Sequence, residues 1–192
     1  MSHFKVMVIG ENPEKQLAPF NENLEVPRYV EYTKEELIAK SREEVNKYYP
    51  ERKNWTDDEV YLNEIQYYES EDIGNNGEIY STYNPNPKWD WYSLGGRWSG
   101  SIKLKEGKQG ECGRSGVFEN EVGIDRALKG DIANLEELMP FAVVKDGKWY
   151  EKGEMGWWAF VFNEDKDWDS KFLKLVENLS DDTLISMYDC HI

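Results

Sequence analysis

The chain has 192 residues, 39% of them hydrophobic and 14% aromatic, with 8 Trp and 12 Tyr; disordered chains are poor in rings, so this composition excludes disorder and provides for one domain whose core rests on large aromatic side chains. The formal net charge is -15 at pH 7, which argues against direct binding of nucleic acid, because phosphate neutralisation needs basic side chains, and leaves either simple solubility or mimicry of a nucleic-acid surface toward a basic protein. The two cysteines, Cys112 and Cys190, have no disulfide-framework or zinc spacing, no apolar run approaches a membrane span, and the opening MSHFKVMVIGENPE lacks the basic region of a signal peptide, so the expected location is the cytoplasm.

In chain order, HFKVMVI (residues 3–9) reads as a strand ending at Gly10, and ENPEKQLAPFNENLEVP as a loop punctuated by Pro and Asn. Thr33-Lys-Glu-Glu36 is a capping box, with Tyr32 and Leu37 spaced as a hydrophobic staple, and opens a helix stopped by Pro50. Thr56-Asp-Asp-Glu59 repeats the device for a helix to about Tyr68, with acidic residues where the helix dipole favours them. Residues 70–88 read as loop. SGSIKLKEGKQGECGRSG holds a short strand and a glycine-rich loop without P-loop spacing, and residues 124–139 read as two short helical pieces broken at Gly130. FAVVKDGKWYEKG is a hairpin turning on Asp146-Gly147, GWWAFVF a strand, 169–179 a helix with a regular apolar face, and TLISMYDCHI a closing strand.

This order predicts an α+β fold: a ferredoxin-like antiparallel sheet with helices on one face. It is expected as a single domain over 1–192, with a central insertion, about residues 70–139, carrying the motif WDWYSLGGRW. In that topology the first and last strands are antiparallel neighbours. The only two histidines, His3 and His191, would then face each other across the sheet. Strand alternation puts His3 and Lys5 with Asp189 and His191 on one face, and Met7 and Ile9 with Ile185 and Met187 further along it. Two imidazoles with a carboxylate and an amine can act as general acid and base on a phosphoester, since imidazole titrates near neutral pH. His3, His191 and Asp189 are therefore the candidate catalytic residues, against the alternative that they are the polar ends of terminal strands. The same set could accept a divalent metal if a further ligand joined it; no residue is assigned as a metal ligand. Cys190 points to the opposite face from His191, so it is expected in the core rather than as a nucleophile.

WDWYSLGGRW packs three tryptophans, Asp90, Tyr92, a Gly-Gly pair and Arg97 into residues 89–98. An extended reading puts Trp89, Trp91 and Ser93 on one side and Asp90 and Tyr92 on the other, with Gly95-Gly96 allowing a tight bend. Two uses fit. One is a fold-locking corner with an Arg97–Asp90 pair under stacked tryptophans. The other is a ring-lined slot that stacks a base and offers Arg97 to its phosphate. GEMGWW is a second aromatic-glycine corner, with Trp157 and Trp158 as further candidate walls and Glu154 as a candidate acid or metal ligand, or else an ordinary turn carboxylate. Asp131, beside Gly130, is a candidate cap.

SHFKVMVIGENPEKQLAPFNEN, NPKWDWYSLGGRW, ALKGDI, FAVVKDGKWYEKGEMGWW and DCHI together resemble a family of uncharacterised proteins of tailed phages and prophages. The resemblance covers both ends and the middle motifs; residues 25–80 match loosely. It implies a phage accessory or counter-defence protein in the host cytoplasm and supplies no catalytic residues. On that basis the expected ligand is a small nucleotide-type phosphorylated molecule, bound by Trp89, Asp90, Trp91, Tyr92, Arg97, Trp157 and Trp158 and hydrolysed, if at all, through His3 and His191. The alternatives are a non-enzymatic inhibitor whose acidic helices (Glu35, Glu36, Glu43, Glu44, Asp57, Asp58, Glu59) dock on a basic-surfaced host defence protein, and a structural phage component. A homo-oligomer is compatible with any of these.

Overall fold

The structure is a computed structural model that describes residues 2–113, 123–156 and 160–192. In chain order its strands and helices are β1 (His3–Ile9), α1 (Pro13–Leu17), β2 (Tyr29–Tyr32), α2 (Lys34–Tyr48), α3 (Asp57–Ile65), β3 (Ile79–Ser81), β4 (Trp91–Leu94), β5 (Glu111–Cys112), β6 (Ile124–Leu128), β7 (Ala142–Lys145), β8 (Lys148–Glu151), β9 (Glu154–Met155), β10 (Val161–Phe162), α4 (Trp168–Val176) and β11 (Leu184–His191). They form two compact units, Met1–Leu24 with Asn84–Ile192, and Glu25–Tyr83. No helix among the described residues is long and apolar enough to cross a membrane.

The first unit is built on a seven-stranded mixed sheet in the order β5-β6-β11-β1-β7-β8, with β4 also on β11. The register of its two central strands follows from their side-chain pattern. His3 lies opposite His191, Lys5 opposite Asp189, Met7 opposite Met187 and Ile9 opposite Ile185. A slip of one residue would send Met7 and Ile9 to the wrong face. Each face has its own core. Met7, Ile9, Ile185 and Met187 pack with Trp168, Phe172 and Val176 of α4. Phe4, Val6, Val8, Tyr188 and Cys190 pack with Leu17 of α1 and with Trp89.

Several expectations change. Helices cover both faces of the sheet, because the 11–27 segment contains α1, with Pro13 pre-set at its first turn. β7 runs parallel to β1 and directly beside it, with β8 outside. A ferredoxin-like sheet instead puts the second strand of the hairpin next to the first strand, antiparallel to it. What the structure has is therefore α+β with a mixed sheet. Residues 124–128 are strand rather than helix: β11 has an open edge, and β6 pairs with its first half while β4 pairs with its second half. Tertiary pairing overrides local helix preference there. Of the residues expected as an insertion, 84–139 belong to the first unit and 70–83 to the second. The hairpin turn is as the dipeptide demands, with Asp146 and Gly147 both at positive φ (52 and 70).

In the second unit, Thr33 and Thr56 each close a capping box with Glu36 and Glu59. Tyr32 and Leu37 meet as spaced, in a small core with Tyr61 and Ile79.

Candidate functional site

At the end of the central strands, two rows of side chains share one face of the sheet. Trp91, His191 and His3 form the outer row, and Ser93, Asp189 and Lys5 the inner one. The strand period of two puts alternate residues of β4, β11 and β1 on this face. Beyond Lys5 and Asp189 the same face becomes the Met7–Met187 core.

Each histidine is held by a carboxylate. His3 Nδ1 lies 2.9 Å from Asp189 Oδ1, and His191 Nδ1 lies 2.6 Å from Asp90 Oδ1. A carboxylate only accepts, so in both pairs Nδ1 carries the proton and Nε2 is left for other chemistry. Asp189 is itself buried and fixed: its Oδ2 accepts the Arg97 backbone N–H at 3.0 Å. The rings interlock. Trp91 stacks on His191 at 5.2 Å and 16°, and His3 meets His191 edge-on at 5.1 Å and Trp91 at 5.3 Å.

The two histidines differ in access. His3 lines a cleft of about 390 Å³ with Lys5, Trp98, Phe141, Lys152 and Asp169. His191 is not among the residues lining that cleft, and its Nε2 is buried with no hydrogen-bond partner among the described residues. Ser93 Oγ is buried and unpartnered in the same way. Lys5 donates to the Leu138 carbonyl, and burial holds its ammonium below the usual lysine range.

The loop Gly95–Gly100 hangs on two carboxylates. Gly95 and Gly96 have φ of 74 and 53, and a Cβ on either would run into Asp125 or Asp189. Asp125 is fully buried and accepts from the Ser99 hydroxyl at 2.8 Å, the Gly100 N–H at 2.9 Å and the Gly113 N–H at 2.8 Å. It escaped the sequence reading because residues 124–139 read as helical. IDRAL has no alternation of apolar and polar residues, so nothing local marks Asp125 as inward-facing; its burial follows from the pairing of β6 with β11.

The WDWY residues separate. Trp89 is core: it is 5% exposed and its Nε1 donates to the Leu17 carbonyl at 3.1 Å. Tyr92 packs edge-on against Trp89 and Tyr188 on the opposite face from the histidines. Extended alternation thus holds from Trp91 onward but not across Asp90, which turns to His191. Asp90 does not pair with Arg97, whose exposed guanidinium has no hydrogen-bond or ion-pair partner among the described residues. Trp157 and Trp158 lie outside the described residues. Glu154 is exposed and lines a smaller cleft with Lys88 and Glu151, whose lining does not include either histidine. Asp131 pairs with Lys108 at 2.8 Å. Cys190 is buried on the far face, and burial, with Asp189 beside it, pushes its thiol well above the usual range. No group of three or more His, Cys, Asp or Glu among the described residues is placed to hold a metal ion.

Against protein-family models, curated proteins and solved structures, the chain has no match.

Proposed function

We propose that the His3 cleft binds a small nucleotide-type phosphorylated ligand and that His3, oriented by Asp189, acts as general base or acid on its phosphoester. The observation that carries this reading is the carboxylate-held imidazole at the wall of a cleft of about 390 Å³, within the roughly 300–1,000 Å³ span of small-molecule sites. Trp98 and Phe141 supply ring walls, and Lys5 and Lys152 stand in the lining with Asp169, Lys152 also pairing with Glu164 at 2.9 Å. In hydrolysis, a water oxygen forms the new P–O bond, the ester P–O bond breaks, and the water's proton passes through His3 Nε2 to the leaving oxygen. His191 and Asp90 act as positioning residues, holding the ring stack against which His3 rests. Arg97, next in sequence to the cleft-lining Trp98, is the proposed phosphate contact. The setting proposed with it is that of a phage accessory protein acting on nucleotide signals of its host.

A second reading, an acidic inhibitor of a basic host protein, draws on the Glu25–Tyr83 unit, which holds 15 acidic and 7 basic residues. One experiment separates the two. Wild type, His3→Ala, Asp189→Asn and Arg97→Ala are incubated with cyclic and linear nucleotides and ADP-ribose derivatives, with and without divalent metal, and analysed by chromatography before and after heat denaturation. The enzyme reading expects a product whose rate falls about 100-fold or more in His3→Ala and Asp189→Asn, and weaker binding in Arg97→Ala. Nucleotides that all stay free and unchanged sink that reading and leave the inhibitor.

A further inference from the structure

We propose that the cavity between α2 and α3 is a binding site for a primary alkylammonium group. This goes beyond the function proposed for the His3 cleft and does not rest on it. The cavity holds about 230 Å³, below the roughly 300 Å³ at which drug-sized sites begin. It therefore suits a side-chain-sized group rather than a nucleotide.

Its lining is matched to three hydrogen-bond donors on a short apolar stem. Val45 and Val60, one from each helix, form the apolar part. Glu44 and Glu64 stand on the same two helices and make no ion pair among the described residues; Glu44 reaches Lys40 only through longer-range attraction. Ser41 lines the cavity at 4% exposure, and its hydroxyl has no hydrogen-bond partner among the described residues. A buried hydroxyl in that state has free lone pairs that can accept from a donor, as well as an O–H to give. An ammonium presents three donors and no acceptor, so it can satisfy both carboxylates and the hydroxyl together.

The lining cation does not compete for this role. Arg52 is held over the rings of Tyr49 at 4.7 Å and Trp55 at 4.9 Å. That also occupies a face of Tyr49, so the cavity lacks the several free ring faces that a quaternary ammonium cage uses. Tyr67 remains, 75% exposed at the lining, able to meet the cation with its ring.

The test is a chemical-shift titration of the full chain with pentylammonium, its neutral isostere 1-pentanol, and tetramethylammonium. It is run on wild type, Ser41→Ala and Glu44→Gln/Glu64→Gln. Expected is saturable binding of pentylammonium, with shifts confined to α2 and α3 and no binding of 1-pentanol or tetramethylammonium. The double glutamine variant should bind about tenfold more weakly or worse, and Ser41→Ala severalfold more weakly, because charge-assisted hydrogen bonds are lost. Equal binding of 1-pentanol or tetramethylammonium, unsaturable shifts spread over acidic residues generally, or unchanged affinity in the double variant overturns the proposal. The first two readouts use wild type alone and stand whether or not the variants fold. A further pair, Nα-acetyl-lysine methylamide against 1,5-diaminopentane, identifies the source. Tighter binding of the first assigns the site to a lysine side chain, and tighter binding of the second to a free amine; both require the same ammonium pocket.

Discussion

Glu14 shows how a single residue ties stability to pH. Arg126 bonds to Glu14, Glu111, Ser186 and Tyr188, and the Tyr188 hydroxyl donates to Glu14 at 2.7 Å. Burial pushes the Glu14 carboxyl up, but the hydrogen bonds from Tyr188 and Arg126 outweigh it and hold it below its ordinary value of 4.5. The folded state therefore favours the ionised form. Its contribution is complete above the unfolded pKa and is lost as pH falls through the lower folded value. Denaturant unfolding of wild type and Glu14→Gln should show a stability gap that is constant from neutral pH down to about pH 5 and closes below it. A gap that persists unchanged into acid contradicts this. The same residue-scale logic sets apart the two histidines. Both are held through Nδ1, yet the 390 Å³ cleft is lined by His3 and not by His191, so chemistry is assigned to one and support to the other.

At the scale of elements, β11 organises the first unit. Its eight residues carry β1 along one edge and share the other between β6 and β4. The chain leaves β4 through Gly95-Gly96, where it passes tightly over Asp125 and Asp189. A substitution pair isolates that close approach from backbone strain. Gly107 also has a positive φ of 74, but nothing lies within 4 Å of the position a Cβ would take. Gly107→Ala should cost only the left-handed backbone penalty, about 1–2 kcal/mol. Gly96→Ala should cost clearly more, because Asp189 must also move, and should lower any His3-dependent activity. Equal losses of thermal stability in the two variants would show that the Asp189 contact is slack.

At the scale of the molecule, each unit has a core of its own: two clusters on the faces of the sheet, and a third around Leu37, Tyr61 and Ile79. Within the first unit, Asn84 Nδ2 donates to the Asn21 carbonyl at 2.9 Å, so the two ends of its chain lie close. Replacing residues 25–83 by a short Gly-Ser linker should therefore leave a folded sheet. Loop closure over a short span costs little. The expected result is a cooperative melt with retained β-type circular dichroism, and a chain that fails to melt cooperatively contradicts it. If His3 chemistry is found, it should survive the same deletion.

Local periodicity was enough to determine β1 and β11 as strands, the register they take once paired, the two capped helices, the Asp146-Gly147 hairpin and the burial of Cys190. Those signals lie within a few residues of one another: alternation by two, a cap three residues from its partner, a turn dipeptide needing positive φ. His3 and His191 could be placed opposite each other only by adding to these signals a topology in which the first and last strands are antiparallel neighbours. Only the tertiary structure decided which edges β4, β6 and β7 occupy, and hence that the sheet is mixed and that Asp125 is a buried anchor. It also turned Trp89 into core, gave Asp90 to His191 rather than Arg97, and put His3 rather than His191 at the wall of the 390 Å³ cleft. Edge pairing and side-chain partners are settled by which distant surfaces remain unfilled once the central strands have met. That competition joins residues far apart in the chain, 186 positions in the His3–Asp189 bond, and leaves no local pattern to read.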